Sequence, residues 1–291
     1  VNKQKSFEDK GPAGILYVVP TPIGNLEDIT IRGLNTLKSV DLIAAEDTRN
    51  TKKLLTHFDI HCSMVSYHEH SQDSRVAHLI SQLKNGKDVA LVSDAGMPAI
   101  SDPGAPLIQA VLAEELSVVV LPGANAALCA LVGSGLATDQ FYFFGFLPRK
   151  NKERKRALQR LQRQNSTVIL YESPYRLTET LEDIHFYLGN RQIAIARELT
   201  KRFEEYVRGT IEEVMNWTKT GTIKGEFCIV IEGNPEESDN QEEAWWEKLT
   251  INQHVDYYIE KDQLSSKMAI KQVAEDRKIS KRDVYQSYHV E

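Results

Sequence analysis

An α/β fold of two domains with a small C-terminal helical extension is what this sequence predicts, on three observations. The 291 residues exceed one typical domain of about 100 to 200 residues and suit two. Short apolar, β-branched runs alternate with segments whose apolar residues recur every three and four positions, as buried strands between amphipathic helices do. After residue 234 the composition turns acidic and then helical, which sets the extension apart.

Taken in order, residues 1–13 (VNKQKSFEDKGPA) hold no apolar targeting core and read as a disordered lead-in. The strands follow as ILYVV (15–19), LIAAE (42–46), VALVS (89–93), SVVVL (117–121), FYFFGF (141–146), TVILYE (167–172), IAIARE (193–198) and FCIVIE (227–232). Their near-continuous apolarity predicts strands covered on both faces. Between them DITIRGLNTLKSV, RVAHLISQLKNG and RLTETLEDIHFYLG carry the helical spacing. The uncharged stretch 116–137 is long enough to suggest a membrane span, but Pro122-Gly123 splits it into a strand, a turn and an Ala-rich helix.

These elements group into an N-terminal α/β domain at 14–137 and a second at 138–234, where the aromatic strand opens a new series. From Glu232 to Glu247 there are seven acids and no bases, so 235–248 reads as a solvated linker. The extension, 249–291, reads as two short helices joined at Ile279-Ser280, with Ser265 and Ser280 as N-caps. A pair that small needs a surface to dock on.

A formal charge of −6 excludes a global positive field for nucleic acid, so any polyanion site is local. Cys62, Cys129 and Cys228 are far apart and form no CxxC pair, which argues against a zinc site or disulfide framework and fits a reducing cytoplasm. No P-loop, GxGxxG, GxSxG or HExxH motif occurs, which excludes the common nucleotide, hydrolase and zinc-protease signatures.

The chemistry gathers instead at strand ends: PTPIGN, EDTR, SDAGMP and PGAN follow the first four strands. In open α/β sheets ligands bind beyond the carboxyl ends of strands. These loops offer glycine, proline and isolated carboxylates rather than lysines, which suits a neutral or cationic ligand approached by backbone, such as S-adenosylmethionine. Turn and capping duty explains any one of them alone, and Ser101-Asp102-Pro103-Gly104 reads as a helix start with Asp102 as N-cap.

VPTPIGNLEDIT, DLIAAEDTR, LVSDAGMPAISDPG, VVVLPGANAA, FLPRK, LYESPYR and ARELTK, in this order, resemble the ribosomal RNA small subunit methyltransferase I family of the tetrapyrrole methylase superfamily. The resemblance covers about residues 14–234. It implies two α/β domains with S-adenosylmethionine in the cleft between them, and methyl transfer to the ribose 2′-hydroxyl of a cytidine in the decoding region of 16S rRNA. It also implies a homodimer and no metal. Asn125 departs from the usual small residue after the turn, and is expected to tolerate a left-handed backbone there.

On this reading Asp94, Ala95, Gly96, Met97, Pro98, Gly123, Asn125 and Ala126 bind the cofactor. Glu46, Glu172 and Glu198 are unranked candidates to take the hydroxyl proton, with turn chemistry or ion pairing the bland alternative. His68 and His70 read as loop residues. The run 149–163 carries eight bases and one acid, and its Arg149, Lys150, Arg154, Lys155 and Arg156 join Arg49, Arg176, Arg197 and Lys201 as RNA-backbone candidates. A weaker patch spans Lys261–Arg282, with seven bases and three acids. A tetrapyrrole C-methyltransferase would not need the 149–163 run, and a non-catalytic RNA-binding or assembly protein would not need the clustered loops.

Overall fold

The computed structural model describes residues 3–5, 11–68, 73–221, 223–234, 246, 249–261 and 263–289. The chain divides into two compact units, Val1–Asn234 and Pro235–Glu291.

In the first unit β1 (Ile15–Val18), β2 (Leu42–Ala45), β3 (Ser63–Ser66), β4 (Val89–Val92) and β5 (Ser117–Val120) form a parallel sheet in the order β3-β2-β4-β1-β5. Successive residues of a strand point to opposite faces, and here both faces are covered. Ile43 and Ala90 pack with Leu37 of α1 (Ile31–Ser39) and Leu55 of α2 (Thr48–His57). Leu16 and Ala44 pack with Leu79 of α3 (Asp73–Lys84) and Leu107 of α4 (Ala105–Ala113) on the other side. That double burial is why the expected strands read as unbroken apolar runs. Strand β3 was not among them: SMVS is a half-buried edge with two apolar residues, too short to carry a pattern.

The second sheet is mixed, with β6 (Phe141–Phe146), β7 (Thr167–Glu172), β8 (Gln192–Arg197), β9 (Glu205–Thr210) and β10 (Phe227–Ile231) in the order β6-β7-β10-β8-β9. Only β6 and β7 run parallel; β10 is antiparallel to both of its neighbours. Helices α6 (Asn151–Leu161), α7 (Leu177–Leu188) and α8 (Ile211–Thr218) bury Leu158, Leu181 and Val214 against one face. The other face is covered by α5 (Ala126–Ser134), whose Ala127, Ala130 and Leu131 pack on Ile169, Ala194 and Cys228. Small residues let α5 lie close to the sheet, so a helix that follows the last strand of the first sheet binds the two sheets into one unit. EYVRGT of β9 escaped the sequence reading because a half-buried edge strand tolerates polar residues.

Two loop expectations are corrected. Helix α4 starts at Ala105 with Gly104 as N-cap and proline at its first turn, so Asp102 does not cap it. Asn125 is extended (φ −150°, ψ 116°) and its side chain accepts the Leu128 N–H, because capping asks for a β-region backbone rather than a left-handed one.

Most of the acidic stretch 235–248 lies outside the described residues, as does His70. Of the lead-in, Gln4 exchanges two hydrogen bonds with the Val118 backbone on the edge strand β5. Among the described residues the second unit holds three helices where two were expected: α9 (Ile251–Glu260), α10 (Ser266–Asp276) and α11 (Lys281–His289). Val255, Ala269, Ile270, Val273 and Val284 form their core. A Thr250–Gln253 capping box starts α9, a signal the sequence carried. Ser280 caps α11 by accepting the Asp283 N–H, while the Ser265 hydroxyl makes no capping bond to α10.

Candidate active site

The loops leaving β1 and β4 are laced together first. Thr21 and Gly96 exchange backbone hydrogen bonds of 3.0 and 2.9 Å, and the Thr21 hydroxyl donates to the Ser93 carbonyl at 3.1 Å. Gly96 sits at φ +79°, where a Cβ would approach Ile23 Cγ2 to 3.1 Å; glycine is therefore what the turn requires. On the second sheet the pairing register shifts at Gly145 of β6, which lies against the Ser101 hydroxyl of the same loop. The Asn25 N–H donates to the Thr200 hydroxyl at 3.1 Å, joining the β1 loop to the loop after β8.

Between these loops lies a cleft of about 340 Å³, within the range of about 300 to 1,000 Å³ typical of small-molecule sites. Ala95, Gly96, Met97, Asn125 and Ala126 line it from one side, and Phe146, Tyr171, Glu172, Leu199 and Glu226 from the other. Of the expected cofactor residues, Pro98 and Gly123 are not part of this wall. Pro98 is buried, and a Cβ on Gly123 would meet the Pro20 ring at 2.6 Å. Asp94 is also outside the lining: its carboxylate accepts the Asp47 N–H at 3.2 Å and the Asn50 amide at 3.1 Å.

Besides Glu226 and Asp94, four acids stand at or near the cleft. Glu46 accepts the Asp94 N–H at 3.2 Å. Glu172, 3% exposed, accepts its neighbour Ser173 N–H and the Thr180 hydroxyl, with Arg176 3.8 Å away. Glu198 is not brought to the cleft wall. It accepts from Lys201 Nζ and the Glu226 N–H, each at 3.0 Å, and although burial opposes its charge, these contacts hold its pKa below the usual value. Asp102 is the acid that the sequence reading assigned elsewhere. It lines the cleft, and burial, reinforced by the charges of Glu46 and Asp94 against a hydrogen bond from Ser93, raises its pKa from 3.8 to about 7. The repeated Ser-Asp of SDAGMPAISDPG was its available signal. Tyr171, also missed, accepts the Ala127 N–H at 3.2 Å and so fixes the start of α5 at the cleft.

The expected RNA contacts separate by burial. Arg149, Lys150, Lys155 and Arg156 are exposed. Arg154 is 3% exposed and ties α6 to α7 through Asp183, at 2.5 Å, and Glu179; its helix position faces inward, beside Ala157 and Leu158. Arg176 donates to the Leu147 and Pro148 carbonyls. Arg197 pairs with Glu205 at 2.9 Å, and Lys201 with Glu198 and Glu226. Arg49 is exposed but forks onto Asp47, whose carboxyl the guanidinium holds down at about 2.

A second cavity of about 390 Å³ abuts the same loop, lined by Ser93 and Asp94 together with Asn50, Lys53, Leu54 and His57 of α2. Among the described residues no His/Cys/Asp/Glu cluster suits a metal ion, and no helix is long and apolar enough to cross a membrane.

Comparison with known proteins places this geometry in context. The family model for Tetrapyrrole (Corrin/Porphyrin) Methylases matches residues 15–215. The chain is similar to Ribosomal RNA small subunit methyltransferase I of Halalkalibacterium halodurans, 54% identical over 288 residues and 99% of each chain. It is similar to the protein of that name from Bacillus subtilis, 53% identical over 290 residues, 100% of this chain and 99% of the other. Among solved structures, uroporphyrin-III C-methyl transferase from Thermus thermophilus complexed with S-adenyl homocysteine matches at TM-score 0.54 and 18% identity, covering 75% of this chain and 97% of that one.

Proposed function

Because the chain belongs to the tetrapyrrole methylase family, and within it to the ribosomal RNA small subunit methyltransferase I proteins, we propose that it methylates 16S rRNA from S-adenosylmethionine, at the ribose 2′-hydroxyl of a cytidine in the decoding region. The observation that carries the reading is the cleft: Ala95, Gly96 and Met97 of SDAGMP line one side, carboxylates stand in its wall, and apolar and backbone surface makes up the rest.

The donor set fits S-adenosylmethionine. Gly96 lets backbone approach, Met97 and Phe146 offer apolar contact, and Asp102 and Glu172 offer negative charge to a cation. When bound, the cofactor supplies an electrophilic methyl group on a sulfonium. The chain's part is to hold the acceptor oxygen in line and to accept its proton. Asp102 is the acceptor we assign, since a carboxyl titrating at about 7 takes a proton near neutral pH far better than an ordinary one. Glu172, committed to Ser173 and Thr180, positions the loop after β7. Exposed Arg149, Lys150, Lys155 and Arg156 are read as phosphate contacts along α6. Leu128 and Val132, one turn apart and exposed on α5, support a homodimer surface. The protein is assigned to the cytoplasm, where its substrate is.

Tritium transfer from S-adenosylmethionine to small ribosomal subunits, naked 16S rRNA and porphyrinogens tests the reading. Label in RNA alone is expected. Label in a porphyrinogen overturns the substrate assignment, and cofactor binding with no transfer to any of them overturns the catalytic one.

A further inference from the structure

We infer that the second cavity receives the base of one unstacked nucleotide of the RNA, with Asp94 accepting from an exocyclic amine and Lys53 and His57 taking its phosphates. This rests on the reading of the protein as an RNA methyltransferase. Its starting point is the mixed chemistry of the 390 Å³ space. The exposed Asp94 carboxylate accepts the Asp47 N–H and the Asn50 amide; a carboxylate has about four lone-pair directions, so capacity remains for a ligand donor. Leu26 and Leu54 supply apolar wall. Lys53 and His57, exposed and four residues apart, share one face of α2. The helix sequence, TRNTKKLLTH, holds no acid. A ligand matching this lining combines an anionic group, an apolar face and a hydrogen-bond donor. A nucleotide whose base bears an amine has all three.

The cavity also lies where an acceptor has to be. Ser93 and Asp94 line it, while Ala95 through Met97 line the cofactor cleft, so consecutive residues of one loop form both walls. A ribose attached to a base in the second cavity is thereby carried to the edge of the first. Duplex RNA is far larger than a space of about 390 Å³, and enzymes acting on a nucleotide commonly turn it out of the stack. Acceptance from the cytosine N4 amine by a carboxylate is a recognised specific contact; uracil, with a carbonyl there, would face the carboxylate with an acceptor.

Three variants of the full chain are measured on small ribosomal subunits that lack the methyl group, with S-adenosylmethionine affinity followed separately by calorimetry. Leu54→Trp, which fills the cavity, is expected to weaken subunit binding and lower methyl transfer at least about 10-fold while cofactor affinity stays within about 2-fold. Lys53→Ala with His57→Ala, both on the helix surface and harmless to folding, is expected to weaken binding and flatten its salt dependence by about 0.7 to 0.9 in log-log slope for the lost Lys53 contact. Asp94→Asn is compared on subunits carrying cytidine or uridine at the target. The wild type is expected to prefer cytidine by about 10-fold or more and the variant to lose that preference; a purely structural role for Asp94 would lower both rates equally. Wild-type protein that methylates RNA, with Leu54→Trp equally active or the base preference unchanged in Asp94→Asn, overturns the subsite alone. Wild-type protein that binds the cofactor but methylates no RNA overturns the functional reading and the subsite with it.

Discussion

Replacing Asp102 by asparagine is expected to stabilise the protein at alkaline pH while removing its activity. The pKa of Asp102 is raised from 3.8 to about 7, first by burial and then by the negative charge of Glu46. The unfolded chain therefore releases this proton near pH 4, whereas the folded chain keeps it until about pH 7. Between these values the unfolded state binds fewer protons, so stability falls as pH rises and stays reduced above 7. If the whole displacement appeared as stability it would amount to about 4 kcal/mol. The carboxyl stands at an open cleft, and solvent screening reduces the expected gain of Asp102→Asn to about 1 to 2 kcal/mol at pH 8. Asparagine nearly matches the shape and has no charge to bury, so the gain should shrink toward pH 5. Urea unfolding of both proteins at pH 5 and pH 8 measures it, and loss of a general base should cost about 10²- to 10⁴-fold in kcat. In the wild type, kcat/KM should rise with pH through about 7 and level above it. A variant that is less stable at pH 8, or that turns over at the wild-type rate, refutes the argument.

Gly96→Val should abolish S-adenosylmethionine binding by calorimetry with a native circular dichroism spectrum, because φ is +79° and a Cβ there presses on Ile23; unchanged affinity would remove SDAGMP from the cofactor site. Arg154→Ala should cost about 2 to 4 kcal/mol in urea unfolding, since it strips Asp183 and Glu179 of their buried partner. Lys155→Ala with Arg156→Ala should leave stability nearly unchanged and weaken RNA binding with a flatter salt dependence; equal stability losses in the two experiments would contradict the division of α6 into inner and outer faces. In the second unit, burial and then Arg277 lower the pKa of His254 below 6.5. The folded form therefore favours the neutral ring, its contribution to stability is intact above pH 6.5 and lost as pH falls below, and His254→Gln should flatten the pH dependence of unfolding between pH 5 and 7.

What was legible in the sequence follows from how strongly each segment is constrained. Strands covered on both faces, such as LIAA and VALV, had to be continuously apolar, and the eight that were expected are present. The edge strands SMVS and EYVRGT have no such requirement and left no trace. Glycine at 96 was readable because the turn geometry admits little else. Arg154 was not, because a charge run shows how many bases there are and not which face of the helix each occupies. Only the positions of Ala157, Leu158 and Leu161 reveal that Arg154 faces α7. Asp102 was hidden by a pattern that suits a helix start equally well, but the helix begins only at Ala105. The carboxylate set is likewise a tertiary property: Glu46, Asp94 and Asp102 come from two loops that the parallel pairing of β2 and β4 brings side by side.

The most direct test of the central claim is the chemical identity of the product. Small ribosomal subunits lacking the modification are incubated with the protein and labelled S-adenosylmethionine, and the 16S rRNA is hydrolysed in alkali. A 2′-O-methyl group removes the oxygen that attacks the adjacent phosphate, so the account predicts label in an alkali-resistant dinucleotide whose 5′ member is cytidine. Label recovered in a mononucleotide, as a methylated base would give, contradicts it.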